Sequence, residues 1–290
     1  MNKKFISIFM LVIIMISSAT VFADSAVGDV IISLGADLTE SEKESILEEF
    51  NAPESVYMIV TTNAEEHEYL GDVIPAGKIG NNAISSVMIT YTDKGSGLKV
   101  DTSDKITYIT ERNYINALIT AGVEDADIKI TSPKNATGTA ALTGIMKAYE
   151  VSTGEVIDDD IKKVANEEMV RTAELGELIG NDKASDLINK IKQEIAEKNP
   201  KTKEEVRDIV INIVNNFNIN LSDEQIEQLV ALFDKMKNLD IDWDQVYNQI
   251  ENIAGKASEY LSSEEGQGFL QSLKSFLNAL IDWIASIFRA

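Results

Sequence analysis

The sequence predicts an α+β protein in which a mixed α/β domain, residues 24–154, precedes an acidic all-helical domain, residues 155–290. Two observations lead to this fold class. Up to Gly154, short runs rich in β-branched residues alternate with helical patterns, and this region holds three of the four prolines. Beyond Gly154, apolar residues recur at intervals of three and four, which is the spacing of one helix face. The length of 290 residues favours two domains over one.

Six segments of the first region are predicted strands because they are rich in β-branched and aromatic residues: 30–34, 56–61, 84–91, 98–100, 106–110 and 128–131. Residues 93–97, Asp-Lys-Gly-Ser-Gly, form a turn sequence that predicts a hairpin between the strands on either side. Helices are predicted after a capping box at Thr39, over residues 113–121, and from Gly138 to Tyr149. Gly144 lies inside the last helix, where a small residue permits close packing.

The second region contains about six predicted helices that pack as a bundle. Short polar joints at residues 199–200, 218–222 and 238–242 separate them. The clearest apolar stripes are Val206, Ile209, Val210, Ile213 and Val214, followed by Ile226, Leu229, Val230, Phe233 and Met236.

The first 23 residues have the features of a secretory signal peptide. Lys3 and Lys4 supply a positive start, and Val21 and Ala23 place small residues before a cleavage site. The apolar stretch between them, residues 5–16, is shorter than the roughly 20 residues that a spanning helix needs. We therefore predict cleavage before Asp24 and a secreted or extracytoplasmic protein of the cell envelope, with no transmembrane segment in its mature chain.

The composition narrows the choice of partners. The chain contains no cysteine, which excludes disulfides, thiolate metal sites and a lipid-modified cysteine anchor. With 48 acidic and 26 basic residues, it carries a formal charge of −22. This charge argues against nucleic acid as a partner, because proteins that bind phosphate backbones need clustered Lys and Arg. We expect an envelope protein or a small ligand as the partner, and we expect no cofactor.

Five short segments resemble the YpuA-like secreted proteins, a domain-of-unknown-function family found mainly in Gram-positive bacteria. They are GADLT at 35–39, SS at 85–86, YINALITAG at 114–122, GTAALTGI at 138–145 and KAYE at 147–150. The resemblance covers nearly all of the mature chain and is most specific in its first half. It implies an exported protein and supplies no mechanism, because the family has no assigned activity.

Three patterns have ordinary structural explanations. His67 is the single histidine, which excludes a two-histidine zinc motif, and we expect it on the protein surface. Residues 158–160 are three aspartates at the start of a predicted helix, where they suit its positive end. Residues 240–251 match an EF-hand loop at five positions, but Gln245 replaces the turn glycine. We therefore expect a helix opened by Asp242, and no metal site.

Thr137, Gly138 and Thr139 form a candidate ligand site. They lie between a predicted strand and a predicted helix, where free backbone N–H groups can hold an anion. The segment lacks the Gly-Lys-Ser/Thr ending of a nucleotide-binding loop, so a purely structural use of the turn is the competing explanation.

The final predicted helix, residues 269–288, is a candidate docking surface. Its wide apolar face includes Phe276, Leu280, Trp283 and Ile287. This face either closes the core of the bundle or docks a partner. Peripheral contact with a membrane is the less favoured alternative, because Lys and Arg are scarce around it.

No set of nucleophile, base and metal ligands can be recognised, so the sequence favours a non-enzymatic binding or interaction protein. The alternative is a hydrolase of an envelope substrate that uses carboxylates, with or without a divalent ion, at the junction between the two regions. Because 48 acids form many pairs, only their positions in the folded chain can separate these functions. A deep pocket with two facing carboxylates, or an acid with a raised pKa, would favour the hydrolase.

Overall fold

A five-stranded mixed sheet forms the centre of the first region in the computed structural model, which describes residues 27–73 and 76–262. The strand order is β2-β1-β3-β5-β4. Strands β1 and β2 are parallel, as are β4 and β5, whereas β3 is antiparallel to both of its neighbours. The strands are β1 (Val30–Gly35), β2 (Tyr57–Thr61), β3 (Ser86–Tyr91), β4 (Lys99–Thr102) and β5 (Ala126–Thr131).

The predicted hairpin between β3 and β4 is wrong. Strand β5 lies between them and pairs with both. Ile128 and Ile130 of β5 are buried, which suits a central strand. The short β4 exposes Lys99 and Asp101, which suits an edge. The turn at residues 93–97 therefore passes over the start of β5 instead of joining two neighbouring strands.

The predicted strand at residues 106–110 is also wrong. Only one isolated bridge forms there, between Ile106 and Ala136. The side chain of Thr110 accepts a hydrogen bond from the backbone N–H of Asn113, so this residue caps the next helix and ends the extended segment.

Helices cover both faces of the sheet. They are α1 (Glu40–Phe50), α2 (Asn63–Leu70), the single-turn α3 (Ala76–Ile79), α4 (Glu111–Thr120) and α5 (Thr139–Thr153). On one face, Ile46 and Phe50 of α1 pack against Ile32 and Leu34 of β1. On the other face lies α5, where a Cβ at Gly144 would be only 2.9 Å from the hydroxyl oxygen of Ser33. The expected close packing at Gly144 is therefore confirmed.

Five helices follow within the described residues. They are α6 (Asp159–Ile179), α7 (Asn181–Lys198), α8 (Lys203–Asn216), α9 (Asp223–Lys237) and α10 (Trp243–Ser262). The joints after α7, α8 and α9 lie where the sequence predicts them, and a further break at Gly180 separates α6 from α7. The α+β class is thus confirmed. The predicted signal peptide and the final predicted helix lie outside the described residues.

The sheet and the helical region share buried apolar residues. A single core cluster includes Ile128 of the sheet, Leu118 of α4, Ile188 of α7 and Phe233 of α9. Helix α4 packs against both α6 and α7. The domain boundary at Gly154 stays a prediction, but the two regions meet through a continuous apolar interface. Among the described helices, none combines the length and the apolar character needed to cross a bilayer.

Candidate functional site

A cavity of about 550 Å³ opens where the sheet region meets α10, and we name it the junction cleft. Its walls come from the turn after β3, the loop before β5 and the first turns of α10. Its charged side chains are Glu124, Asp125, Asp242, Asp244 and Lys94. Four carboxylates thus face one ammonium. The rest of the lining comes from amide side chains of α10, from Leu98 and Ile253, and from two glycines of the turn after β3.

Asp125 builds one wall of the junction cleft. Its backbone has a φ of 48°, in the left-handed region that Asp tolerates better than most residues. Its two carboxylate oxygens accept hydrogen bonds from the backbone N–H groups of Gly97 (2.7 Å) and Gly95 (3.0 Å). Asp125 therefore holds the turn after β3 in place, which is a structural use of this carboxylate.

Asp242 and Gln245 build the opposite wall. The carboxylate of Asp242 accepts a hydrogen bond from the backbone N–H of Gln245 at 2.9 Å, so Asp242 caps α10 as expected. The side-chain amide of Gln245 donates to the carboxylate of Glu124 at 2.7 Å. This bond joins the helical region to the sheet region across the floor of the cleft.

The EF-hand interpretation of residues 240–251 does not match the backbone. Helix α10 begins at Trp243, so the segment that would have to curl around an ion is helical. Within residues 27–73 and 76–262, no group of three or more His, Cys, Asp or Glu side chains could hold a metal ion.

Two side chains in the cleft have no partner among the described residues. The carboxylate of Asp244 is exposed and makes no hydrogen bond or ion pair with any described residue. The amide nitrogen of Gln249 is buried and has no hydrogen-bond partner among the described residues. An unpaired buried donor is destabilising until it gains an acceptor. Within the described part of the chain, the cleft therefore presents one unpaired carboxylate and one unpaired buried donor.

The acidic surface continues beyond the cleft. A second cavity of about 540 Å³ shares Asp242 and Gln245 with it, and includes Asp158 and Asp160. Asp158 caps α6 by accepting from the backbone N–H of Asp160 at 2.8 Å, so the expected capping role of this aspartate run is confirmed. The ammonium of Lys162 lies 3.2 Å from the carboxylate of Asp159.

The Thr137-Gly138-Thr139 turn opens α5, as predicted. Gly138 has a φ of 94°, and a Cβ there would collide with the hydroxyl oxygen of Tyr114. That hydroxyl donates to the carbonyl of Gly138 at 2.6 Å. The hydroxyl of Thr139 donates to the carboxylate of Glu66 at 2.5 Å. An external anion at this turn would meet the repulsion of Glu66, and anion binding here stays a prediction.

Glu66 is the buried acid of the sheet region, with 1% of its surface exposed. Burial raises the pKa of its carboxyl group, and hydrogen bonds from Thr139 and Asn63 only partly oppose this. Burial, together with the nearby charge of Glu66, also raises the pKa of Tyr114. The adjacent His67 is half-buried, and its Nε2 lies 3.0 Å from the carbonyl oxygen of Gly80.

A buried ion pair lies between the two regions and was not predicted from the sequence. Lys192 of α7 and Glu168 of α6 are both 0% exposed. Lys192 donates to the carbonyl of Asn116 at 2.9 Å, and Thr120 donates to the carboxylate of Glu168 at 2.5 Å. Burial raises the pKa of Glu168 and lowers that of Lys192, and the attraction within the pair opposes both shifts.

The positions of Glu66 and Glu168 bear on the hydrolase alternative. Both carboxyl groups have a raised pKa, yet neither lines the junction cleft or the cavity beside it. Each is enclosed by side chains of the fold, so a substrate cannot reach it.

The cleft residues Glu124, Asp125 and Gln249 were not singled out from the sequence. Two sequence signals pointed to this place. The turn sequence at 93–97 marked the wall that Asp125 supports, and the EF-hand-like segment 240–251 contains Asp242, Asp244 and Gln249. The predicted docking residues Phe276, Leu280, Trp283 and Ile287 lie outside the described residues.

Comparison with known proteins defines the class to which this chain belongs. The family model described as "Protein of unknown function (DUF1002)" matches residues 34–253, and the chain is a member of that family. The sequence is 49% identical over 268 residues to "Uncharacterized protein YpuA" of Bacillus subtilis (strain 168), a match that covers 92% of each chain. The YpuA-like resemblance is therefore confirmed. No solved structure matches the chain.

Proposed function

We propose that this protein is an exported, non-enzymatic binding protein whose junction cleft takes a small polar ligand with a positively charged amine. The observation that carries this proposal is the pair of unused groups in the cleft. Asp244 offers an exposed carboxylate to a cation. The Gln249 amide, whose nitrogen has no partner among the described residues, can turn into the cleft and donate to an acceptor on the same ligand. The remaining carboxylates of the lining favour a cation and repel an anion.

Export is the second part of the proposal. It is supported by the positive start, apolar stretch and small residues of the first 23 positions. An extracytoplasmic binding protein also accounts for the strongly acidic composition, because a high net charge keeps a secreted chain soluble.

The proposal is tested by calorimetric titration of the purified chain with amines of different size. Suitable probes are spermidine, glucosamine and a lysine-containing tripeptide, each compared with its fully N-acetylated form, in which every amine has lost its positive charge. We expect an amine to bind, its acetylated form to bind far more weakly, and added salt to reduce the affinity.

Two substitutions distinguish amine binding in the cleft from nonspecific attraction of an amine to the acidic chain. Asp244→Asn should weaken amine binding by roughly tenfold to a hundredfold, since hydrogen bonds to charged groups contribute about 1.5–3 kcal/mol. The matched control is Asp208→Asn, because Asp208 is an exposed aspartate on α8 outside the cleft. Equal affinities for the two variants would contradict the proposal. Turnover of an envelope substrate that is lost with Asp244→Asn would replace it with the hydrolase.

A further inference from the structure

A cavity of about 290 Å³ lies between α6, α9 and the single-turn α3, and we name it the α6/α9 cavity. Among the described residues, it shares no lining side chain with the junction cleft. Its charged side chains are Lys78, Arg171, Glu174 and Glu177, and three leucines and two glutamines complete the described lining. Small-molecule sites usually have volumes of about 300–1,000 Å³, so an occupant of this cavity must be small.

Arg171 uses one of its three nitrogens within the described fold. Its Nη1 donates to the carboxylate of Glu174 at 2.8 Å. Its Nε is buried without a hydrogen-bond partner, and Nη2 donates to no described residue. Nε and Nη2 lie along one edge of the guanidinium, where their two N–H groups match the two oxygens of a carboxylate. The side chain is 20% exposed, and rotation about its own bonds can bring this open edge to the cavity.

Lys78 supplies a second positive charge to the cavity. Its ammonium donates to the hydroxyl of Tyr108 at 3.5 Å and lies 4.9 Å from the centre of that ring. An ammonium has three N–H groups, so two remain for a ligand. Burial acts to lower the pKa of Lys78, but its contact with Tyr108 and its attraction to the two glutamates of the cavity raise it overall. The ammonium is therefore charged at neutral pH.

The two glutamates limit the charge that an occupant can carry. Glu174 already pairs with Arg171, and Glu177 is exposed and makes no ion pair with any described residue. A doubly charged phosphate would be repelled by both carboxylates, and the net charge of −22 opposes it as well. A carboxylate carries a single charge and fits the one open edge of Arg171. The cavity thus favours a carboxylate over a phosphate.

An apolar wall lies beside these charges. Leu175 and Leu229 are buried, whereas Leu178 is 61% exposed. An aliphatic group that enters the cavity can cover Leu178, and the removal of both apolar surfaces from water stabilises the contact. This wall favours a ligand whose carboxylate is attached to an aliphatic group.

We propose that the α6/α9 cavity binds a monocarboxylate that carries a short aliphatic group. Nε and Nη2 of Arg171 donate to its two oxygens, Lys78 donates to one of them, and the aliphatic group covers Leu178. This site goes beyond the amine site proposed for the junction cleft, because it lies elsewhere and prefers the opposite charge. The same chemistry has two sources, which are a free branched-chain acid and the C-terminal carboxylate of a peptide that ends in an aliphatic residue.

Calorimetric titration of the purified chain with matched probes tests the chemistry of the ligand. Isocaproate has both the carboxylate and the aliphatic group, isocaproamide lacks the charge, acetate lacks the aliphatic group, and inorganic phosphate replaces the carboxylate. We expect isocaproate to bind about tenfold or more tightly than each of the other three. A tripeptide that ends in leucine, compared with its C-terminal amide, separates the two sources. Tighter binding of this tripeptide than of isocaproate assigns the site to a chain end, and the reverse order assigns it to a free acid.

Two variants test the residues of the site. Arg171→Lys should weaken isocaproate binding by about tenfold or more, because lysine keeps the charge and lacks the two-donor edge. Its matched control is Arg207→Lys, since Arg207 pairs with Glu227 outside the cavity. Leu178→Ala should also weaken isocaproate binding, whereas Val156→Ala, at another exposed apolar position, should not. Circular dichroism establishes that all four variants are folded.

Four results would each overturn the inference. They are no measurable binding of isocaproate, equal affinities for isocaproate and isocaproamide, equal affinities of Arg171→Lys and Arg207→Lys, and loss of isocaproate binding in Asp244→Asn. The last result would place the carboxylate in the junction cleft. Asp244→Asn also keeps the two proposals separate, because amine binding should depend on Asp244 and isocaproate binding should not.

Discussion

The ammonium of Lys192 lies 2.8 Å from a carboxylate oxygen of Glu168, with both side chains closed off from solvent. The two residues come from neighbouring helices of the helical region, and their remaining partners, Asn116 and Thr120, come from α4 of the sheet region. The contact is an ion pair without the alignment of a good hydrogen bond. The pair lies where the two regions meet, so its removal should destabilise both of them.

Replacing one partner of this pair should be strongly destabilising. Lys192→Met leaves the Glu168 carboxylate buried without its cation, and we expect a loss of about 3–5 kcal/mol in the free energy of unfolding. The double variant Lys192→Met/Glu168→Leu should recover much of this loss. The control is Lys190→Met on the same helix, which removes an exposed pair with Glu194 and should cost under about 0.5 kcal/mol. Urea unfolding measures all three, and equal losses for Lys190 and Lys192 would contradict the prediction.

Glu66 should make the folded protein less stable as the pH rises, which is the opposite of the usual effect of a carboxyl group. Its folded-state pKa is above the ordinary value of 4.5, so folding favours the protonated acid. The contribution is fully present below that ordinary value and is lost as the pH rises through the folded-state pKa. The wild-type chain should therefore lose stability relative to Glu66→Gln as the pH rises from about 4 to 7. Unfolding free energies of both chains across this range provide the measurement.

Glu65 is the matched control for this pH series. Burial acts to raise the pKa of its carboxyl group, but hydrogen bonds from Lys147 and Thr62 outweigh burial, and the pKa is lowered. Its contribution is present above the ordinary value and is lost as the pH falls through the folded-state pKa. Relative to Glu65→Gln, the wild-type chain should thus gain stability as the pH rises. If the stability difference from wild type changed in the same direction with pH for both variants, the surroundings described for Glu65 or for Glu66 would be incorrect.

Gly138→Ala should destabilise the chain by roughly 3 kcal/mol, from a left-handed backbone and a clash with the Tyr114 hydroxyl. Gly122→Ala separates these two causes. Gly122 has a φ of 79°, but an added Cβ would meet no atom within 4 Å, so only the backbone cost of about 1–2 kcal/mol applies. Thermal unfolding of both variants tests this difference, and similar melting temperatures would argue against the Tyr114 contact.

The two regions should remain together after the chain is cut between them. A specific protease site inserted after Glu155 lies in an exposed segment, next to Val156. Because the apolar core and the Lys192 network bridge the regions, the two fragments should elute as one folded complex. Gel filtration after cleavage decides this. Two separately folded fragments would instead support independent domains with a boundary at Gly154.

The mature protein should begin at Asp24. Val21 and Ala23 provide the small residues before the cleavage site, and the apolar stretch ahead of them is too short to span a bilayer. N-terminal sequencing of protein recovered from the envelope or the medium is the measurement. A membrane-bound chain that retains Met1 would contradict both the cleavage and the proposed export.

The sequence by itself determined the α+β class, the family resemblance and most helix starts. The capping boxes at Thr39 and Ser222 are hydrogen bonds between residues three positions apart, so the local sequence specifies them. The apolar stripes of α8 and α9 depend on spacing within one helix, and they too are local.

Tertiary structure alone decided the strand order, the buried ion pair and the junction cleft. Strand β5 lies between the two strands of the expected hairpin, because its apolar residues are buried when a strand pairs on each side of it. The turn sequence at residues 93–97 contains no information about this pairing. Lys192 and Glu168 are 24 positions apart on different helices, and Gln245 reaches Glu124 across 121 positions. Such pairs form only when the whole chain packs, because the free energy that selects them is the burial of the complete core and not the preference of any short segment.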